Sequence, residues 1–225
     1  MTLIAFVILT GLLDDKEADE AVRAFRAAMK STEVSARVAA VSELGKCRHE
    51  KVLKVLATCL IIDEKEVRIQ AADALGQFNV RKPQVCGLLS DALEMNRRSP
   101  EVESAILKAL KELGEEGALG PAYRYMDDKN SKVAEAAIGI LGVVRYKASI
   151  EPLLKLMKKL IHSGEGYNSG DGSLDVPEDE QLRQRARQLQ AAACKALQSI
   201  TGEKWSTSED WESWWKKNAA TFKVK

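Results

Sequence analysis

The chain has 225 residues, of which 34 are basic and 33 are acidic, and its formal net charge is +1. A chain this close to neutral has no overall electrostatic attraction to nucleic acid or to an anionic membrane, so neither is an expected partner. Aromatic residues make up 5% of the chain, and all four tryptophans lie near its C-terminal end.

The chain begins with an apolar segment, residues 1–13, in which residues 3–13 form one run that ends at Asp14. This run is too short to span a bilayer and has the length of the hydrophobic region of a secretory signal. However, no lysine or arginine precedes it, and no small-residue cleavage motif follows it. An apolar strand or helix packed on the next element is the alternative. Because the length of the run favours a secretory signal, we expect export to the periplasm or the medium, with the cytoplasm as the alternative location.

Residues 14–202 contain amphipathic segments whose apolar residues lie three and four positions apart, the spacing of one helix face. Ser99 followed by Pro100 predicts one helix start with particular clarity. The segments are short and separated by turns, so they predict successive helical hairpins. The predicted pairs are 14–30 with 34–44, 49–61 with 64–78, 84–95 with 100–113, 118–126 with 131–144, and 149–161 with about 183–200.

The segment from Glu66 to Gly76 recurs along the chain in degraded form. Leu44, Leu75, Leu110 and Leu141 hold the same place at intervals of 31, 35 and 31 positions, which is typical of stacked helical hairpins. The next copy, at Leu197, follows after 56 positions and must contain an insertion.

The same segment carries predictions about local structure. Asp63 and Glu66 have the spacing of an N-terminal capping box. The small alanines of the segment allow a neighbouring helix to approach closely. Gly76 is expected where the helix ends and the chain turns back.

The pattern V-R-x-x-A-A-x-A-L-G, complete only at Val67 to Gly76, resembles the HEAT repeat, including the short bacterial HEAT-like repeats named from phycobilin lyases. The resemblance covers residues 14–202 and implies an all-α fold, an α-α superhelix of about five helical hairpins. Arrays of this family are mostly scaffolds, so the resemblance implies a non-catalytic scaffold that binds another protein of unknown identity. The alternative is a ligand-binding or lyase-type enzyme, acting on a tetrapyrrole, built on the same array.

The resemblance also implies that the second helix of each hairpin lines the binding face. Outward positions on these helices include Gln70, Asp73, Gln77 and Lys108, which are the candidate partner-binding residues. Outward positions of the second helices are mixed in charge and lack aromatic residues, whereas a phosphate-binding face needs a stripe of lysine and arginine. The sequence therefore predicts no nucleic-acid partner.

No catalytic residue, cofactor site or metal site is predicted. His49 and His162 are the only histidines, and no nucleophile, base and orienting acid can be assembled from visible motifs. The four cysteines form no C-x-x-C pair, so a zinc site is not expected. We expect Cys47, Cys59, Cys86 and Cys194 to be buried thiols, with a Cys47–Cys59 pair as the alternative in an exported protein.

Residues 162–180 are rich in glycine and acidic residues and have no apolar period, which predicts a surface insertion loop. Part of this loop has oxygen-bearing residues at the spacing of a calcium loop. Tyr167 occupies the first place, where a carboxylate is needed, so a solvated linker is preferred.

Residues 203–225 predict a tryptophan-rich capping helix and tail, with a capping box of Thr207 and Asp210. Trp211, Trp214 and Trp215 share one helix face. This face either seals the last repeat or forms a platform for a ligand, and the first interpretation is preferred. The tail is similar to those that close exported HEAT-like repeat proteins of environmental bacteria.

Overall fold

The computed structural model describes residues 2–164 and 177–224, with side chains for residues 15–161 and 180–224. In these ranges the regular structure is helical, in eleven α-helices and two short 3-10 turns. The chain divides into two compact units, the first ending at Gly117 and the second beginning at Ala118. Each unit is described separately.

The first unit consists of three helical hairpins. Its helices are α1 (Thr2–Ala28), α2 (Val34–Leu44), α3 (Glu50–Ile62), α4 (Lys65–Gly76), α5 (Lys82–Met95) and α6 (Pro100–Leu113). The hairpins are α1–α2, α3–α4 and α5–α6. The second helices α2, α4 and α6 pack on one another in order, and so do the first helices α1, α3 and α5. The predicted all-α repeat of HEAT-like hairpins is therefore confirmed.

The second unit contains two more hairpins and a terminal helix. Its helices are α7 (Leu119–Tyr125), α8 (Ser131–Val144), α9 (Ile150–Gly164), α10 (Pro177–Thr201) and α11 (Ser208–Asn218). Helix α7 pairs with α8, α9 pairs with α10, and α8 packs on α10 as second helices do in the first unit. Helix α11 packs on α9.

Three helix bounds differ clearly from the sequence prediction. Helix α1 is continuous from Thr2 to Ala28, across the predicted boundary between the apolar segment and the first repeat. Helices α9 and α10 extend into the predicted insertion loop at 162–180, to Gly164 and from Pro177. Residues 165–176, and with them most of the calcium-loop hypothesis, lie outside the described residues. Within the described residues, no helix combines the length and the hydropathy needed to cross a bilayer.

The recurring glycines allow close packing between helices. A Cβ atom built on Gly45 would lie 2.7 Å from the Cβ of Ala74, and one on Gly76 would lie 2.8 Å from the Cα of Ala109. In the second unit, a Cβ on Gly142 would lie 3.0 Å from the Cα of Ala196. Each glycine thus meets an alanine of the next second helix. Gly76 lies at the helix end as expected, since it is the last residue of α4, and it is also buried against α6.

Asp63 does not cap α4 as predicted. Glu64 occupies the N-cap position without a side-chain hydrogen bond. The Asp63 carboxylate instead accepts from Arg37, whose Nε and Nη2 both lie 3.1 Å from its Oδ1. Because a charged, half-buried partner competes with the orphan backbone N–H groups of α4, the carboxylate is drawn to the preceding hairpin. The interaction ties α2 to the turn between α3 and α4.

In the next hairpin, the arginine at the equivalent position contacts a neutral amide instead of a carboxylate. Arg68, 31 positions after Arg37, donates from Nη1 to the Oδ1 of Asn96 at 2.7 Å. The amide of Asn96 in turn donates to the carbonyls of Leu60 at 3.0 Å and Ala92 at 2.7 Å. Asn96 is 2% exposed, so one buried side chain joins three helices of the first unit.

Arg145, the C-cap residue that follows α8, has a φ of +55° in the left-handed region. A non-glycine residue in this conformation costs about 1–2 kcal/mol. We therefore expect Arg145→Gly to raise the free energy of unfolding by about 0.5–1 kcal/mol, after the larger chain entropy of glycine is subtracted. Denaturant titration measures this value, and Arg145→Ala is the matched control because it keeps the Cβ. An equal gain in both variants would contradict the explanation.

The C-terminal helix begins as predicted, since the Thr207 hydroxyl accepts the Asp210 N–H at 3.1 Å. Trp211 is fully buried, and Trp214 packs edge-on against Phe222 with ring centroids 5.6 Å apart. Lys147 donates to the carbonyls of Ala219 and Phe222, both at 2.8 Å. These contacts support a sealing role for the tryptophan face.

Candidate functional site

The candidate residues on α4 lie on one face of the helix. Gln70, Asp73 and Gln77 are three and four positions apart, and Asp73 and Gln77 are exposed while Gln70 is half-buried. The opposite face, with Val67, Ala71 and Leu75, is fully buried. The apolar period that folds α4 into the repeat therefore directs these polar side chains outward.

Asp73 of α4 and Lys108 of α6 are brought together by the packing of their helices. Although the Asp73 side chain is exposed, neighbouring protein atoms remove part of the water around its carboxyl and raise its pKa above the ordinary value, and the nearby charge of Lys108 opposes this increase. Lys108 is itself exposed. Residues 35 positions apart in sequence thus form a pair of opposite charges on adjacent repeats.

Gln77 is held by Arg48, a residue that the sequence analysis did not identify. Arg48 donates to the Oε1 of Gln77 at 3.2 Å and to the carbonyl of Ala74 at 3.1 Å. Its guanidinium lies 5.0 Å from the ring centre of Phe78. The carbonyls at a helix C-terminus carry partial negative charge, so a cation is stabilising there.

This arrangement recurs in the next hairpin. Lys82, which follows α4, donates to the carbonyl of Leu113 at the end of α6 at 3.3 Å. In both cases, a cation that lies shortly after the second helix of one hairpin caps the second helix of the next hairpin. That sequence position is the signal by which Arg48 could have been recognised.

We expect Arg48→Ala to lower the free energy of unfolding by about 1–2 kcal/mol, because it removes two charge-assisted hydrogen bonds at a helix end. Thermal or urea unfolding measures the change. Lys54→Ala, at an exposed position of α3, is the matched control and should alter stability by less than about 0.5 kcal/mol. Equal effects of the two substitutions would show that Arg48 has no special role.

The cysteines form no disulfide, so a Cys47–Cys59 pair is wrong for this structure. Cys59 and Cys86 are buried as expected, whereas Cys47 and Cys194 are half-buried. Burial raises the pKa of the Cys59 thiol to about 11, and it also raises the pKa of Cys86. Among the described residues, no group of three or more His, Cys, Asp and Glu side chains could hold a metal ion.

The surface of α4 and α6 therefore offers hydrogen-bonding amides and the opposite charges of Asp73 and Lys108 on packed helices. Residues 22–98 match the family model of HEAT repeats, and this range includes Gln70, Asp73 and Gln77. No curated protein matches the chain. The match identifies residues 22–98 as HEAT repeats, and the helical hairpins that pack in order within each unit have the architecture of such repeats.

Proposed function

We propose that the chain is a non-catalytic scaffold that binds another protein through the face of α4 and α6 formed by Gln70, Asp73, Gln77 and Lys108. The observation that carries the proposal is the close packing of α4 on α6, which brings the opposite charges of Asp73 and Lys108, on neighbouring repeats, near enough to interact. Opposite charges in fixed positions select a partner whose charges are arranged in the complementary order.

The rigidity of this face supports the proposal. Helices α4 and α6 are packed through Gly76 and Ala109, and the end of α4 is fixed by Arg48. Binding to a surface that is already ordered loses little conformational entropy, so more of the contact energy contributes to affinity.

The test begins with capture of the partner. A photocrosslinking amino acid is placed at position 77 of the full chain, and in a second sample at position 54 on α3 as a control. We expect a cross-linked protein in source-cell extract that position 77 yields and position 54 does not. An identical set of products from both positions would contradict the proposed face.

The purified partner then allows a charge test. Asp73→Lys and Lys108→Asp should each weaken binding by about tenfold or more, because each creates a like-charge pair. Lys54→Asp is the matched control and should leave the dissociation constant unchanged. Full affinity in both reversal variants would exclude this face as the binding site.

We also propose that the protein is exported, which the apolar run at 3–13 supports. The intact mass of the protein isolated from its source cells tests this. A mass that lacks the apolar segment, in a periplasmic or secreted fraction, is expected. A cytoplasmic protein that retains the segment would contradict export.

A further inference from the structure

An open apolar groove of about 590 Å³ lies between α1 and α2. Six alanines line it together with Phe25, Leu44 and Glu43. Ala24 and Ala28 of α1 and Ala36 of α2 are exposed in it. Within the part of the chain that the structure describes, no other helix covers this face.

The repeat register shows what kind of element fits the groove. Ala36, Ala40 and Glu43 of α2 stand 31 positions before Val67, Ala71 and Ala74 of α4. Those three α4 residues are buried, and Ala74 meets Gly45 of α2. The groove face of α2 is therefore the equivalent of a face that accepts a parallel helix elsewhere in the same unit. Its small side chains permit close approach of a helix backbone.

Acidic side chains lie at one end of the groove. Glu43 occupies the place that Ala74 holds in α4, and Glu17 and Glu20 of α1 are exposed within one turn of Ala21, which lines the same groove. Lys46 pairs with Glu43 at 2.6 Å, but both side chains are about 70% exposed, so this contact is weak. An occupant that places positive charge at this end gains electrostatic attraction.

The cation that caps α4 also indicates that the positive charge of an occupant would lie at this end of the groove. In the α2–α4 pair, Arg48 follows the end of α2 and reaches the carbonyl of Ala74. The equivalent of Ala74 in α2 is Glu43. Suppose that a helix packs on α2 in the same way that α2 packs on α4. A cation that follows the last turn of this helix would then lie at Glu43.

We propose that this groove binds an amphipathic helix of a partner protein, which runs parallel to α2, buries small or leucine side chains and carries lysine or arginine at its C-terminal end. Positive charge at that end also interacts favourably with the dipole of the bound helix. This site is separate from the face of α4 and α6.

The test uses two synthetic helical peptides of about 18 residues, long enough to form helix in part. Both present alanine and leucine on one face. One carries three lysines in its last turn, and the other carries three glutamates at the same positions. Fluorescence anisotropy with the full chain should show that the lysine peptide binds at least about tenfold more tightly than the glutamate peptide.

Variants locate the binding. Ala24→Glu, at an exposed groove position, should weaken binding of the lysine peptide by about tenfold. Glu43→Lys should reverse the order of affinity of the two peptides. Thermal unfolding confirms that each variant is folded. Asp73→Lys, on the face of α4 and α6, is the matched control and should leave peptide binding unchanged. A negative result for the groove proposal is therefore distinguishable from a negative result for the α4–α6 proposal.

Several results would overturn the proposal. These are no binding of the lysine peptide, equal binding of both peptides, or binding that survives Ala24→Glu and Glu43→Lys. Sedimentation equilibrium provides a further test. Self-association of the chain that Ala24→Glu abolishes and the lysine peptide does not displace would assign the groove to a second copy instead.

Discussion

Replacement of Asn96 by alanine is expected to lower the free energy of unfolding of the first unit by about 3 kcal/mol. The side chain is buried. It accepts a hydrogen bond from Arg68 and donates to the carbonyls of Leu60 and Ala92. Alanine leaves these groups without their partner in a site that water reaches poorly. The cost of each buried unsatisfied group is then added to the loss of the hydrogen bonds.

Urea titration followed by circular dichroism measures the change. Asn79→Ala, in an exposed turn, is the matched control and should change stability by less than about 0.5 kcal/mol. Asn96→Asp keeps the acceptor for Arg68 but removes the amide donors, so its effect should lie between the two. A loss at Asn96 no larger than that at Asn79 would show that the network does not hold these helices together.

Gly76→Ala should lower the free energy of unfolding by about 2 kcal/mol, although alanine is better than glycine in a helix by about 1 kcal/mol. The added Cβ would lie 2.8 Å from the Cα of Ala109 and 2.9 Å from its Cβ. The Glu112 carboxylate, also at 2.9 Å, can rotate away, but the backbone of α6 cannot. Helices α4 and α6 must therefore separate to admit the methyl group.

Gly87→Ala is the matched control, because Gly87 lies within α5 and a Cβ there has no neighbour within 4 Å. This substitution should raise the free energy of unfolding by about 0.5–1 kcal/mol through helix propensity alone. Opposite signs at two helical glycines are thus expected. A gain in stability at both positions would mean that α4 and α6 are not in close contact at Gly76.

The helical repeat was predictable because its signal is periodic and is repeated several times. The bounds of α6 and α8 agree with the prediction at both ends, where Ser99 and Pro100 mark one start and Gly114, with a φ of +68°, marks one end. The local cap at Thr207 was predictable for the same reason, since both partners lie within one turn.

Contacts between hairpins were not predictable from local spacing. Asp63 has the spacing of a capping residue, but Arg37, 26 positions earlier, holds its carboxylate. Arg48 likewise acts on a carbonyl 26 positions away. A local pattern identifies which polar groups need partners, whereas the packing of neighbouring repeats decides which partner each one receives.

The exposure of Asp73, Gln77 and Lys108 on α4 and α6 was predictable because exposure follows from the helix period. The pairing of Asp73 with Lys108 and of Gln77 with Arg48 required the packed structure, since these residues belong to different hairpins. The apolar residues at 3–13 predicted an element of their own, yet the backbone continues from them into α1 without a break.

The packing of second helices at glycine–alanine steps is tested most directly by a double-mutant cycle between Gly45→Ala and Ala74→Gly. The Cβ of Ala74 is the nearest atom, at 2.7 Å, to a Cβ on Gly45, so the double variant moves one methyl group from α4 to the end of α2 and removes the clash. We predict that the double variant is more stable than the sum of the single effects by about 1–2 kcal/mol. Additive effects, within about 0.3 kcal/mol, would contradict close contact between adjacent repeats.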